Sequence, residues 1–179
     1  MKKISWALSI IIIITTAICI RNNREENPYF LEKQFTQIEA YFEKRDAINP
    51  HVSQASVAWH LDHILKTINR IVEVLAVSNP EEYISRFNIK RIIVHTTGYI
   101  PRGVAQSPKS VRPPKNILLD SLRLQLQGAR ENMSKIQGLD KNAFFSHPVF
   151  NHLDRDQTRR FLKIHTNHHL KIIKDILDN

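Results

Sequence analysis

A chain of 179 residues with only four glycines and one cysteine has room for a single ordinary domain once its apolar N-terminal segment is set aside, and it favours helices over a sheet. Its formal charge of +9 leaves nucleic acid, anionic lipid and acidic small molecules as candidate partners. No zinc-finger, RNA-recognition or helix-turn-helix signature accompanies that charge, so nucleic acid is not expected. The lone cysteine, Cys19, lies in the N-terminal run, which excludes a disulfide and a cysteine nucleophile from the domain that follows.

Lys2 and Lys3 precede an apolar stretch, residues 4–20, that Arg21 closes. Its length is short for a membrane helix and long for a signal-peptide core. The run has no polar face, which argues against a helix buried in a globular core. Thr15-Thr16-Ala17 is a mediocre cleavage site, and bulky Ile18 before Cys19 argues against a lipoprotein-type signal. Residues 1–24 are therefore expected to be an uncleaved membrane anchor in preference to a signal segment. Lys2 and Lys3 put the N-terminus in the cytoplasm and residues 25–179 on the extracytoplasmic side. Cleavage would instead leave that domain secreted or periplasmic.

The first predicted helix of the domain runs from Tyr29 to Ala47, with Phe30, Phe35, Ile38, Tyr41 and Phe42 on its apolar side, and Asn49-Pro50 breaks it. A second starts at Ser53 or Ser56 and carries Leu61, Leu65, Ile68, Val72 and Leu75 as a bundle-type stripe. Asn79-Pro80-Glu81-Glu82 ends it and can open a short extra turn. Between Glu82 and Asp120 there is no acidic residue, while Arg86, Lys90, Arg91, Arg102, Lys109, Arg112 and Lys115 are basic. This long connection reads as a solvated basic loop or an anion site. A third helix follows from Asn116 to Ile136. An aromatic loop, Asn142 to His152, then leads into a fourth, which Asp154 caps with Gln157 in a capping-box pattern. Four helices with one long loop between the second and third describe an all-α, four-helix bundle.

The last helix carries imidazoles where it should bury hydrocarbon. Phe161, Ile164, Ile172 and Ile176 define its apolar face, and His165 and His169 fall near the middle of that face, four apart. Buried imidazoles need partners, and a metal ion supplies them economically. A catalytic zinc-like site takes three protein ligands. The second helix offers His60 and His63; periodicity alone does not settle the choice, though it favours His60, at the edge of the apolar arc.

Ser56-x-Ala58-x-x-Leu61-x-His63, with His165-x-x-x-His169 on the last helix, resembles the DinB-like (YfiT-like) metalloenzyme superfamily. The resemblance extends to a branch with His-Pro-x-Phe-Gly and His-x-x-His-His motifs. Here these read His147-Pro148-Val149-Phe150-Asn151, with asparagine in place of the glycine, and His165-Thr166-Asn167-His168-His169. The Thr97 to Gly103 loop and Pro108-Lys109 are similar too, and the likeness spans about residues 30–178. It implies a four-helix bundle in which His63, rather than His60, joins His165 and His169 on a divalent metal, zinc or nickel. His147 and Arg102 become candidates for substrate binding. Asp62 is a candidate to orient a ligand ring, and Trp59 and Tyr99 to wall a pocket.

Three readings follow. A metal-dependent transferase or hydrolase would use the ion's charge on a small-molecule substrate, and the resemblance implies thiol transfer, thiol-dependent isomerisation or hydrolysis. A non-catalytic metal-binding module or sensor at the membrane would use the same histidines. A plain helical interaction domain would tolerate their loss. A homodimer is a candidate assembly for any of them.

Overall fold

The computed structural model describes residues 2–22, 24–103 and 106–178, and the side chains of 2–5, 7 and 18–22 lie outside that description, Cys19, Lys2, Lys3 and Arg21 among them. Ser56 opens the helix on which the rest is organised. Its backbone is extended, its Oγ accepts the N–H of Trp59 at 3.3 Å, and α3 (Val57–Val77) begins at the next residue. Leu61, Leu65, Ile68, Val72 and Leu75, the stripe legible in the sequence, are all buried, joined by Ile64 and Ile71. At about 1.5–3 kcal/mol for each aliphatic side chain removed from water, this face is a large part of what holds the helix in place.

α2 (Glu32–Ala40), α5 (Leu119–Gly138) and α6 (Arg155–Asp178) supply the surfaces that cover it. α3 packs against α5 and α6, and α2 rests on those two. Phe35 and Ile38 from α2, Leu122 and Ile136 from α5, and Leu162 and Ile173 from α6 enter the same core with no exposure. A polar seam pins α3 to α5. Asn69 donates to the Gln125 carbonyl at 3.0 Å and accepts from the Asn132 amide at 2.9 Å, so a slip between the helices would strand half-buried amides.

The chain is mostly helical with a small two-stranded sheet, where the sequence reading expected helices alone. Phe144–His147 (β1) and Asn151–Asp154 (β2) pair antiparallel, with Phe144 opposite Asp154 and His147 opposite Asn151. Asn151 has φ 63, in the left-handed region that asparagine enters more readily than most residues. This is the position at which the resembling branch carries glycine. Asp154 then caps α6: its Oδ1 accepts from the N–H groups of Asp156 and Gln157 at 3.1 and 2.9 Å, and its own N–H donates to Gln157 Oε1 at 3.4 Å. The capping box expected from the sequence is the one observed.

Two further elements depart from expectation. The first predicted helix is shorter than Tyr29–Ala47; α2 stops at Ala40 and a 3₁₀ turn, Phe42–Lys44, follows. The long basic connection holds a helix, α4 (Ile89–Thr97), capped by Asn88 at its start and by Gly98, at φ 68, at its end. α4 is tied to α6 through Arg160, whose Nε and Nη2 both donate to the His95 carbonyl, at 2.9 and 2.6 Å.

The membrane anchor expected over residues 4–20, and with it the extracytoplasmic placement that rested on it, is overturned. Residues 2–22 do form a helix, α1 (Lys2–Asn22), but among the described residues no helix is long and apolar enough to cross a membrane. Lys2, Lys3 and Arg21 bound its apolar run, and Ser5, Ser9, Thr15 and Thr16 interrupt it.

Candidate metal centre

Two helices and one turn build the site. α6 places His165 and His169 one turn apart with ring centroids 4.7 Å from each other. α3 brings His63 to the same spot, 5.1 Å from the His165 ring and 4.8 Å from the His169 ring. The three offer one ligand nitrogen each, and those atoms all lie within 4.8 Å of one another. His63, His165 and His169 therefore lie close enough together to hold a metal ion.

The orientation of each ring follows from what its other nitrogen does. His63 Nδ1 lies 2.9 Å from the Val111 carbonyl oxygen, which can only accept, so Nδ1 carries the proton and Nε2 keeps a lone pair. Val111 closes a 3₁₀ turn, Lys109–Val111, at the far end of the basic connection. A stretch that reads as loop in the sequence thus fixes the ring of a candidate ligand. His169 Nδ1 lies 2.9 Å from His60 Nδ1, which leaves His169 Nε2 for an ion. His165 is partly exposed, yet its Nδ1 is buried without a hydrogen-bond partner, the kind of orphaned atom that costs free energy unless something satisfies it.

Electrostatics keep these rings neutral. Burial is the leading cause in every case. It lowers the pKa of His63, and it pushes His165 and His169 well below the ordinary imidazole value, with neighbouring histidines adding to the effect. His60 is held down to about 4 by burial, then by His63, His168 and Arg102. Neutral imidazole is the ligating form.

The donor set fits a divalent cation. Bonds of about 2.0–2.1 Å in a tetrahedral arrangement put ligand nitrogens about 3.4 Å apart. From the separations present, the rings would close by no more than about 1.5 Å, which side-chain rotation supplies. Three imidazoles and no carboxylate also leave the ion its full charge.

The remaining sequence candidates fall in different places. His60, the periodicity choice, is buried beside the cluster and bonded to His169 and to Ser53. Asp62 does not orient a ligand ring. It is buried, its Oδ1 lies 2.7 Å from Lys66 Nζ, and its Oδ2 accepts from Gln125 at 2.8 Å. His168 is half-buried, 5.0 Å from the His169 ring. Arg102 pairs with Asp175 on α6 at 2.5 Å and is close enough to bear on His60 and His168.

His147 stands away from the cluster. Its Nδ1 accepts from the N–H groups of Val149 and Phe150, its ring is edge-on to Phe161 at 4.7 Å, and Phe161 in turn lies 5.5 Å from His165. It lines a separate cavity of about 320 Å³ with Arg86, Ser146, Asn151 and His152. Tyr99 is exposed, whereas Trp59 stacks on His63. Ser53 and Val111 are the residues that sequence reasoning missed. A serine before a helix and a backbone carbonyl give no signal until the fold brings them to an imidazole.

These observations define a mostly helical protein with a largely buried cluster of three histidines. The chain matches no protein-family model, no curated protein and no solved structure.

Proposed function

We propose that the protein is a divalent-metal-binding helical bundle of the DinB-like kind, with zinc or nickel held by His63, His165 and His169. The observation that carries this reading is the approach of three neutral imidazoles from α3 and α6, one of them with a buried, unpartnered nitrogen. α2, α3, α5 and α6 would be the four helices of the bundle, and α4 an insertion in its long connection. The bound ion would supply Lewis acidity, and lower the pKa of a water or thiol, for transfer or hydrolysis of a small-molecule substrate. The chain's own part is to fix the His63 tautomer through Val111, to keep all three rings neutral, and to shield one side of the cluster with Trp59. Arg102, already paired with Asp175, would meet a carboxylate-bearing substrate at the edge of the site.

The test is elemental analysis of the full chain purified without a histidine tag. About one zinc or nickel per chain in the wild type and none in His165→Ala is expected. A wild type that retains no metal after incubation with either ion would end the reading.

A further inference from the structure

The cluster contains a fourth imidazole that is not among its ligating atoms. His60, one turn before His63 on the inner face of α3, is 4% exposed and has both ring nitrogens engaged. Its Nδ1 meets His169 Nδ1 at 2.9 Å, and its Nε2 meets Ser53 Oγ at 3.1 Å. Ser53 Oγ also accepts the N–H of Ala55 at 3.1 Å, which holds the hydroxyl at the start of the helix.

We propose that His60 is the positioning residue for the metal ligand His169, the middle of a chain running His169–His60–Ser53 that fixes the tautomer and the plane of the His169 ring. This rests on the metal-binding reading above. An imidazole–imidazole hydrogen bond carries one proton, and it can run either way. With a cation on His169 Nε2, that nitrogen has no proton, so Nδ1 carries it and donates to His60 Nδ1. His60 then has its proton on Nε2 and donates to Ser53 Oγ. The reverse direction puts a proton on His169 Nε2 and blocks it as a ligand. The chain therefore has one direction compatible with a bound ion, and Ser53 as terminal acceptor permits it.

His63 is served differently. Its Nδ1–H donates to the Val111 carbonyl, a group that can only accept, so its tautomer is fixed with or without a metal. His169 has the adaptable partner. Ligating histidines commonly give their second N–H to a carboxylate, carbonyl or water. In this protein Asp62, the carboxylate next to His63 in sequence, is taken by Lys66 and Gln125, and His169 has a second imidazole as its partner.

The experiment is a zinc titration of the full chain against a chromophoric chelator, with the wild type, His60→Leu, His60→Gln and Ser53→Ala. His60→Leu removes the acceptor and is expected to weaken zinc binding about 10- to 100-fold. His60→Gln keeps an acceptor oxygen and should recover much of that loss, and Ser53→Ala should fall between it and the wild type. Nitrogen-detected NMR of the zinc-loaded wild type should place the His169 proton on Nδ1 and the His60 proton on Nε2. This arm decides the matter even if His60→Leu fails to fold. His60→Leu binding zinc as tightly as the wild type, or a zinc-loaded His169 protonated on Nε2, overturns the assignment. A wild type that binds no zinc overturns the metal reading itself, and that outcome is seen before any variant is compared.

Discussion

Trp59 and His63, one turn apart on α3, stack with ring centroids 5.1 Å apart and 26° between their planes. The indole also meets His60 edge-on at 5.3 Å and stands 6.4 Å from His169. It therefore touches three of the four inner imidazoles and reports on whatever binds among them. Nickel is expected to quench Trp59 emission and saturate at one equivalent per chain. The response should persist in Trp6→Phe and vanish in Trp59→Phe. Quenching carried by Trp6 alone, or quenching that never saturates, would place the ion elsewhere.

The same burial makes a prediction about pH. An unfolded histidine titrates near 6.5, whereas burial holds folded His60 and His147 down to about 4, and His63, His165 and His169 are lowered as well. As pH falls through 6.5 the unfolded chain takes up protons that the folded chain refuses. Stability of the metal-free protein is thus fully present above 6.5, is lost progressively on the way down to about 4, and includes up to about 3 kcal/mol from a group shifted as far as His147. Between pH 6.5 and 5 carboxylates contribute little, so this window belongs to the histidines. Urea midpoints at pH 7.5, 6 and 5 should fall in that order. A flat or rising series would mean that these rings are not held neutral in the fold.

What the sequence made legible followed from periodicity long enough to average out exceptions. The Leu61 to Leu75 stripe and the His165–His169 pair lie on helices of 21 and 24 residues. α4 escaped because it has nine residues and its pattern is inverted: Arg91 and His95 are buried while Ile89 and Ile93 are exposed. The hairpin escaped because four-residue strands leave alternation too little room. The choice between His60 and His63 was beyond periodicity for another reason. Both are buried equally, and what separates them is which ring nitrogen meets which neighbour. Asp62 shows the reverse error, since its spacing beside His63 suggested a partnership that Lys66, one turn on, has taken.

Asp62 accordingly should matter for stability and not for metal. Its side chain is 1% exposed, with Lys66 and Gln125 as partners. Asp62→Ala leaves Gln125 short of an acceptor, but Lys66, about a third exposed, can turn to water. The cost should therefore fall below the 3–5 kcal/mol of a fully buried broken pair, at about 1–3 kcal/mol. Zinc per chain should stay at the wild-type value. Loss of metal from a folded Asp62→Ala protein would restore this carboxylate as a support of the histidine cluster.

Asp154 tests whether the site depends on the start of its helix. Besides capping α6, its carboxylate receives Arg24 at 2.8 Å, so one side chain ties the segment before α2 to the helix that carries His165 and His169. Asp154→Ala removes the cap and strands two N–H groups, at a cost of about 1–2 kcal/mol from the cap alone. The Arg24 pair adds less than a buried one would, because the Arg24 side chain is 41% exposed. His165 and His169 lie about three and four turns further along α6, where the backbone ladder is complete and Leu162 and Ile173 are buried in the core. The variant should melt earlier in proportion to that cost and still bind zinc with wild-type stoichiometry. If metal is lost while the helical signal is kept, the N-terminal turn of α6 is positioning the ligands, and the cluster is less independently held than its packing indicates.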